Sequence, residues 1–213
     1  MTNIPSWDAF YKNQVSFCQF LKGLGDYDQF LECIVEEKPR RVLEVGCGPA
    51  TKSIFLSYLD FDCTAIDNNP RIIDIARSNN DRFYGHVRFA LQDAFALDFA
   101  DDSFDVAHHS GLLEHFSDAD IVRLLREQLR VARKVVFTVP NSDWPRQDYG
   151  NERLLSRGQW EALLGDFKLE VSRNFFPIYS MHALPSLLRE ALSRIVLKRD
   201  IRKSAFYLAK ISR

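Results

Sequence analysis

Short apolar runs recur along this chain at strand length, separated by stretches whose apolar residues follow a helical period. Arg41 to Val45, Asp62 to Ile66, Val87 to Ala90, Phe104 to His108 and Lys134 to Val139 read as buried strands. Between them, Thr51 to Leu59, Asn69 to Arg77 and the strongly periodic Asp118 to Val131 read as crossover helices. Ser117, Asp118 or Asp120 can cap the last of these, and Ser156 starts a further helix through Leu164, which Gly165 ends. Lys168 to Arg173 and Ser204 to Ile211 complete the set. The alternation predicts an α/β fold: a Rossmann-like three-layer sandwich around a mostly parallel seven-stranded sheet, with an antiparallel edge strand supplied by the late strands.

Two amphipathic stretches flank this pattern. Residues 1–38 read as an N-terminal helical cap in which Trp7, Phe10, Tyr11, Val15, Phe17, Phe20, Leu21 and Leu24 form an apolar set, interrupted by Gly23 and Gly25. The set suits either a helix packed on the sheet or a lid closing over a ligand. Residues 177–198 read as a helical insertion near the sheet edge, with Met181, Leu184, Leu188, Leu192 and Ile195 on one stripe. That stripe fits core packing, a homodimer surface or a cover over an apolar acceptor, and Tyr179 and His182 can enter such a space.

Composition narrows the class. With 213 residues, 46% of them hydrophobic, the chain can bury one substantial core, so 1–213 is expected to be a single domain. A formal charge of −1 supplies no electrostatic footprint for wrapping nucleic acid, and no run reaches the length of a transmembrane span. The cysteines are scattered without a paired motif, and no signal segment opens the chain, so a cytoplasmic location is expected.

The chemistry begins at RVLEVGCGPA, Arg41 to Ala50. Gly46 and Gly48 let the chain turn sharply after a strand and bring backbone close to a ligand. A dinucleotide fingerprint would place a third glycine at Thr51, and Glu44 would oppose a pyrophosphate while suiting an ammonium or sulfonium group. About twenty residues on, Asp67 closes an apolar run and can accept both hydroxyls of a ribose. Asp93 follows the third strand in the same layer, where it can accept from an adenine amine beside Ala94 or Phe95.

These stretches in this order resemble class I S-adenosylmethionine-dependent methyltransferases, with EVGCGPA, AIDNN, QDAFAL and FDVAHHSGLLEHF as successive motifs across Arg41 to Pro140. The resemblance implies that Glu44, Gly46, Cys47 and Gly48 hold the methionine part of the cofactor S-adenosyl-L-methionine. It implies that Asp67 and Asn68 hold the ribose, and that Asp93, Ala94 and Phe95 hold the adenine. His109 and Ser110, at the end of the fourth strand, are expected beside the sulfonium.

Glu114 and His115 invite a metal reading, but the third ligand used by some members of this class would fall at Gly111, so no metal is expected. The expected reaction is methyl transfer to an O or N nucleophile of a small molecule, by in-line displacement with positioning and desolvation. His109, His115 and Tyr149 are the candidate catalytic side chains, and the segment 141–155, rich in aromatic and polar groups, is the candidate acceptor loop. RNA methylation and a non-catalytic cofactor-binding role are the competing readings.

Overall fold

The computed structural model describes residues 7, 11, 14–145, 149–177 and 204–213. Two helices, α1 (Phe17–Asp26) and α2 (Asp28–Val35), precede β1 (Arg41–Val45). Then come α3 (Thr51–Ser57), β2 (Asp62–Asp67), α4 (Pro70–Arg82), β3 (Arg88–Leu91) and β4 (Phe104–Ser110). A 3-10 turn at Leu113–His115, α5 (Asp118–Val131), β5 (Ala132–Pro140), α6 (Arg157–Leu163), β6 (Lys168–Pro177) and β7 (Ser204–Ser212) complete the order.

The seven strands form one sheet in the order β3-β2-β1-β4-β5-β7-β6. The first five run parallel, and β7 is antiparallel to both its neighbours. The reversed strand therefore lies one place in from the margin, with β6 outside it. Strand order turns back between β1 and β4, which opens a crevice at the C-terminal ends of the strands.

Both faces of the sheet are covered, which is why the central strands read as continuous apolar runs. Alternation along β1 sends Leu43 and Val45 to one face, under α5 and α6, where Leu124, Leu125, Phe137 and Trp160 pack. Val42 goes to the other face, where Phe30, Ile34, Ile54 and Ile73 of the remaining helices pack. Fully burying each such side chain contributes about 1.5–3 kcal/mol.

Local chemistry sets the helix boundaries. The Ser117 hydroxyl accepts from the Asp120 amide at 3.3 Å, and Ser156 forms a capping box with Gln159. Asn69 caps α4 ahead of Pro70, and that helix runs to Arg82, beyond the expected Arg77. The interruption expected at Gly23 and Gly25 does not occur: α1 passes through both. A capping box at Ser16 and Gln19 and the stacking of buried Phe20 on Phe83 at 4.5 Å offset the glycines' weak helix propensity. Among the described residues no helix is long and apolar enough to cross a membrane. The stretch expected at 177–198 lies, Pro177 apart, outside the described residues, as do Tyr179 and His182.

Candidate functional site

The loop from β1 to α3 is built on left-handed backbone at Gly46 (φ +63°), Gly48 (φ +52°) and Ala50 (φ +56°). A Cβ at Gly48 would sit 3.1 Å from the Tyr11 hydroxyl oxygen, so the missing side chain is what lets Tyr11 lie over the loop. Ala50 is the N-cap of α3 and has no side chain with which to cap it. Glu44 takes that part from the strand below, its Oε2 accepting from the Ser53 amide at 3.3 Å.

That placement keeps two of the side chains expected at the methionine end, Glu44 and Cys47, off the cavity wall. Glu44 is only 3% exposed and lies on the α3 side of the sheet rather than on the cavity wall, because it shares a face with Val42. Burial pushes its carboxyl up, and the nearby Lys52 ammonium opposes the shift. Cys47 is also buried, with a thiol pushed well up by burial and by Glu44 and Asp67. Its backbone does the visible work, donating to the Ile66 carbonyl at 2.9 Å and tying the loop to β2.

Asp67 stands at the end of β2, half-buried. Its Oδ2 accepts from the Gly48 amide at 3.3 Å and its Oδ1 from the Asn69 amide at 3.0 Å, which orient the carboxylate and leave further lone pairs. Burial raises its pKa, and the backbone donors pull the other way. After β3, Asp93 Oδ1 accepts from the Phe95 amide at 2.9 Å and Gln92 Oε1 from the Asp98 amide at 3.1 Å, so the turn is held by its own side chains. Phe95 meets Phe116 edge-on at 5.5 Å and lies under the Arg123 guanidinium at 4.8 Å.

One cavity joins these groups. Gly46, Gly48, Asp67, Asn68, Asp93, Ala94, Phe95 and Ser110 all line it, and so does His115. His109 does not: its ring packs flat on Phe137 at 5.3 Å in the core, and burial drives its pKa down to about 3. The expectation of His109 beside the reacting centre is corrected, because β4 alternation turns it toward the α5 and α6 layer with Ala107. His108, on the opposite face, is equally buried, against Phe30.

Among the described residues, His115 is the histidine that reaches the cavity. Its Nδ1 is 2.5 Å from Asn151 Oδ1, and since an amide oxygen only accepts, the proton sits on Nδ1 and Nε2 keeps its lone pair. Burial lowers its pKa, so the ring is neutral near pH 7. Nε2 lies 3.9 Å from Glu114 Oε1, and burial with Glu152 nearby pushes the Glu114 carboxyl up to about 8. Tyr149 lies behind the lining and stacks on Trp7 at 3.9 Å. Among the described residues no three metal-ligating side chains gather.

Several wall residues gave no signal in the sequence. Ile72, Leu112 and Phe116 line the cavity but read as ordinary apolar positions. The pairing of Asn151 with His115 spans 36 residues and has no local signature.

An open α/β sheet with a crevice at its switch point, a glycine loop after β1 and carboxylates closing β2 and β3 has the architecture of a nucleoside-binding domain. Residues 42–134 match the family model of a methyltransferase domain. The chain is 30% identical to the magnesium-protoporphyrin O-methyltransferase of Rhodobacter capsulatus, over 80% of this chain and 69% of that enzyme. It is 26% identical to ajmaline N-methyltransferase of Rauvolfia serpentina, over 83% of this chain. The chain spans 61%, 47% and 34% of the length of three curated relatives that it matches. The fold superposes with a TM-score of 0.64 on magnesium protoporphyrin IX methyltransferase from Synechocystis PCC 6803 with bound SAM, at 14% identity, covering 97% of this chain and 89% of that one. The chain belongs to the class I S-adenosylmethionine-dependent methyltransferases.

Proposed function

We propose that this protein transfers a methyl group from S-adenosylmethionine to an oxygen or nitrogen of a small molecule. The observation that carries the reading is a single cavity joining the Gly46–Gly48 loop, Asp67, the Asp93–Phe95 turn and His115. In-line displacement from a sulfonium needs alignment and dryness more than a strong nucleophile in the protein.

When bound, the cofactor supplies a methyl group already activated on sulfur. Gly46 and Gly48 let backbone approach the methionine end, and Asp67 accepts from the ribose hydroxyls with Asn68 beside it. Asp93 accepts from the adenine amine, while Ile72, Phe95 and Phe116 offer apolar faces to the base. Asp67 and Asp93 also place negative charge around a cationic ligand, which suits a sulfonium and not a diphosphate. Trp7 and Tyr11 cover the loop and exclude water. His115, neutral and held by Asn151, accepts the proton released by an acceptor hydroxyl or ammonium. Four cysteines without a disulfide among them suit a reducing cytoplasm.

The test is calorimetric titration with S-adenosylmethionine, followed by transfer of labelled methyl to a panel of phenols, alcohols and amines. Saturable cofactor binding and a product heavier by one methylene are expected. A folded protein that does not bind the cofactor refutes the reading.

A further inference from the structure

A polar side chain interrupts the apolar stripe of α4. Asn79 is fully buried there, on the face that Ile72, Ile73 and Ala76 otherwise fill, so its amide must find partners inside the protein. Its Oδ1 accepts from the Val15 amide and its Nδ2 donates to the Pro49 carbonyl, each at 3.2 Å. A backbone amide can only donate and a carbonyl can only accept, so these partners fix which way the side chain points. Val15 stands just after Tyr11 in the segment that brings Trp7 and Tyr11 to the cavity, and Pro49 follows Gly48 in the glycine loop. One buried amide therefore ties the cover to the loop.

The Pro49 carbonyl is left over from α3. That helix starts its own ladder one residue later, where the Ile54 amide donates to the Ala50 carbonyl at 3.0 Å, so Asn79 takes an acceptor the helix does not use. The bonds continue toward the ligand side: the neighbouring Gly48 amide donates to Asp67 Oδ2 at 3.3 Å. Tyr11 lies over the same Gly48. The cover thus meets the loop twice, by the Tyr11 ring above and through Asn79 below. Gln14 adds outer bonds, to Ser78 at 2.5 Å and from Arg82 at 3.4 Å, but these are exposed and water can replace either partner. Asn79 is closed to solvent, so breaking its bonds leaves buried polar groups unpaired.

We propose that Asn79 is the positioning residue that joins the cover to the cofactor loop, so that holding Trp7 and Tyr11 over the cavity and binding the cofactor favour each other. This step rests on the methyltransferase reading above. With both bonds made, the segment carrying Tyr11 and the loop carrying Gly48 are held as one unit, and a ligand that orders the loop also holds the cover. Coupling of this kind is reciprocal: the factor by which a closed cover tightens the cofactor is the factor by which the cofactor suppresses opening. Leucine would fill the same space with neither donor nor acceptor, and aspartate would turn an acceptor toward the Pro49 carbonyl. The paired donor and acceptor of asparagine serve both arms.

The probe is S-adenosylhomocysteine, titrated calorimetrically into the full chain. Exchange of the Val15 amide is followed by NMR with and without saturating ligand, and slowing on the order of tenfold is expected. In Asn79→Ala that amide should exchange quickly in both states. A binding cycle gives an independent reading: Tyr11→Ala should weaken the ligand on the order of tenfold in the parent and by less than about twofold in the Asn79→Ala background. A purely structural Asn79 would lower the melting temperature and leave the two substitutions additive. Equal costs of Tyr11→Ala in the two backgrounds, or a Val15 amide whose exchange ignores bound ligand, overturn the proposal. Should Asn79→Ala fail to fold, the Val15 amide of the parent decides alone. Absence of S-adenosylhomocysteine binding strikes the cofactor reading, whereas its binding without coupling strikes this inference alone.

Discussion

Asp67→Asn tests the cofactor assignment most directly, because it keeps the shape of the side chain and removes its charge. In the structure the carboxylate already receives the Gly48 and Asn69 amides, at 3.3 and 3.0 Å, and the remaining lone pairs are those offered to a ribose. The variant keeps one acceptor oxygen and presents an amide donor where the other stood, so at least one charged hydrogen bond to a ribose hydroxyl is lost. Such a bond contributes about 1.5–3 kcal/mol, which is a roughly 10- to 150-fold rise in Kd. Thermal shift gives an independent reading: ligand at about 100 times the parent Kd stabilises the parent by about 2.7 kcal/mol, and by only about 0.4 kcal/mol if the variant binds about 100-fold more weakly. Titration calorimetry with S-adenosylmethionine and melting curves with and without it would measure both. Burial raises the Asp67 pKa, so parent affinity should also decline at a higher pH on acidification than an exposed aspartate would dictate, and the variant should not show that decline. A folded variant that melts earlier yet binds within about twofold of the parent would reduce Asp67 to a loop staple and refute the ribose role.

Other expectations concern the buried acids and the histidine. Glu114 has a folded pKa near 8, raised above its unfolded value, so the native state holds a proton that the unfolded state releases. Stability should therefore fall as pH rises from about 4.5 toward 8, by at most about 1.4 kcal/mol per pH unit, and Glu114→Gln should flatten that fall in urea titrations. Glu44→Ala should cost about 1–3 kcal/mol by uncapping the Ser53 amide, seen as a lower urea midpoint with an unchanged slope. Asn151→Ala removes the bond that raises the His115 pKa, so the imidazole should titrate at lower pH by NMR; an upward shift would contradict the tautomer assigned here.

Much of the scaffold was readable from local chemistry. Alternating apolar runs located the strands, and Ser117 and Ser156 announced their helices because a capping hydroxyl reaches only two or three residues along the chain. Asp67 and Asp93 were predictable as cavity residues because a carboxylate at the carboxyl end of a parallel strand must lie at the mouth of the sheet. Glu44 and His109 were placed less well. Both sit in strands buried on two faces, where apolar flanks say nothing about which face a polar side chain takes.

By itself the sequence determined the order of strands and helices, the glycine turn after β1 and the acidic strand ends, since each depends on residues within one or two turns of chain. Only the tertiary structure decided that Glu44 caps α3 from below, that His115 rather than His109 reaches the cavity, and that Trp7 lies on Tyr149. Those contacts join residues far apart in sequence, and their geometry comes from how helices and loops pack around the sheet. No local periodicity encodes that packing, which is why the methyl donor could be read from motifs and the closure of the cavity could not.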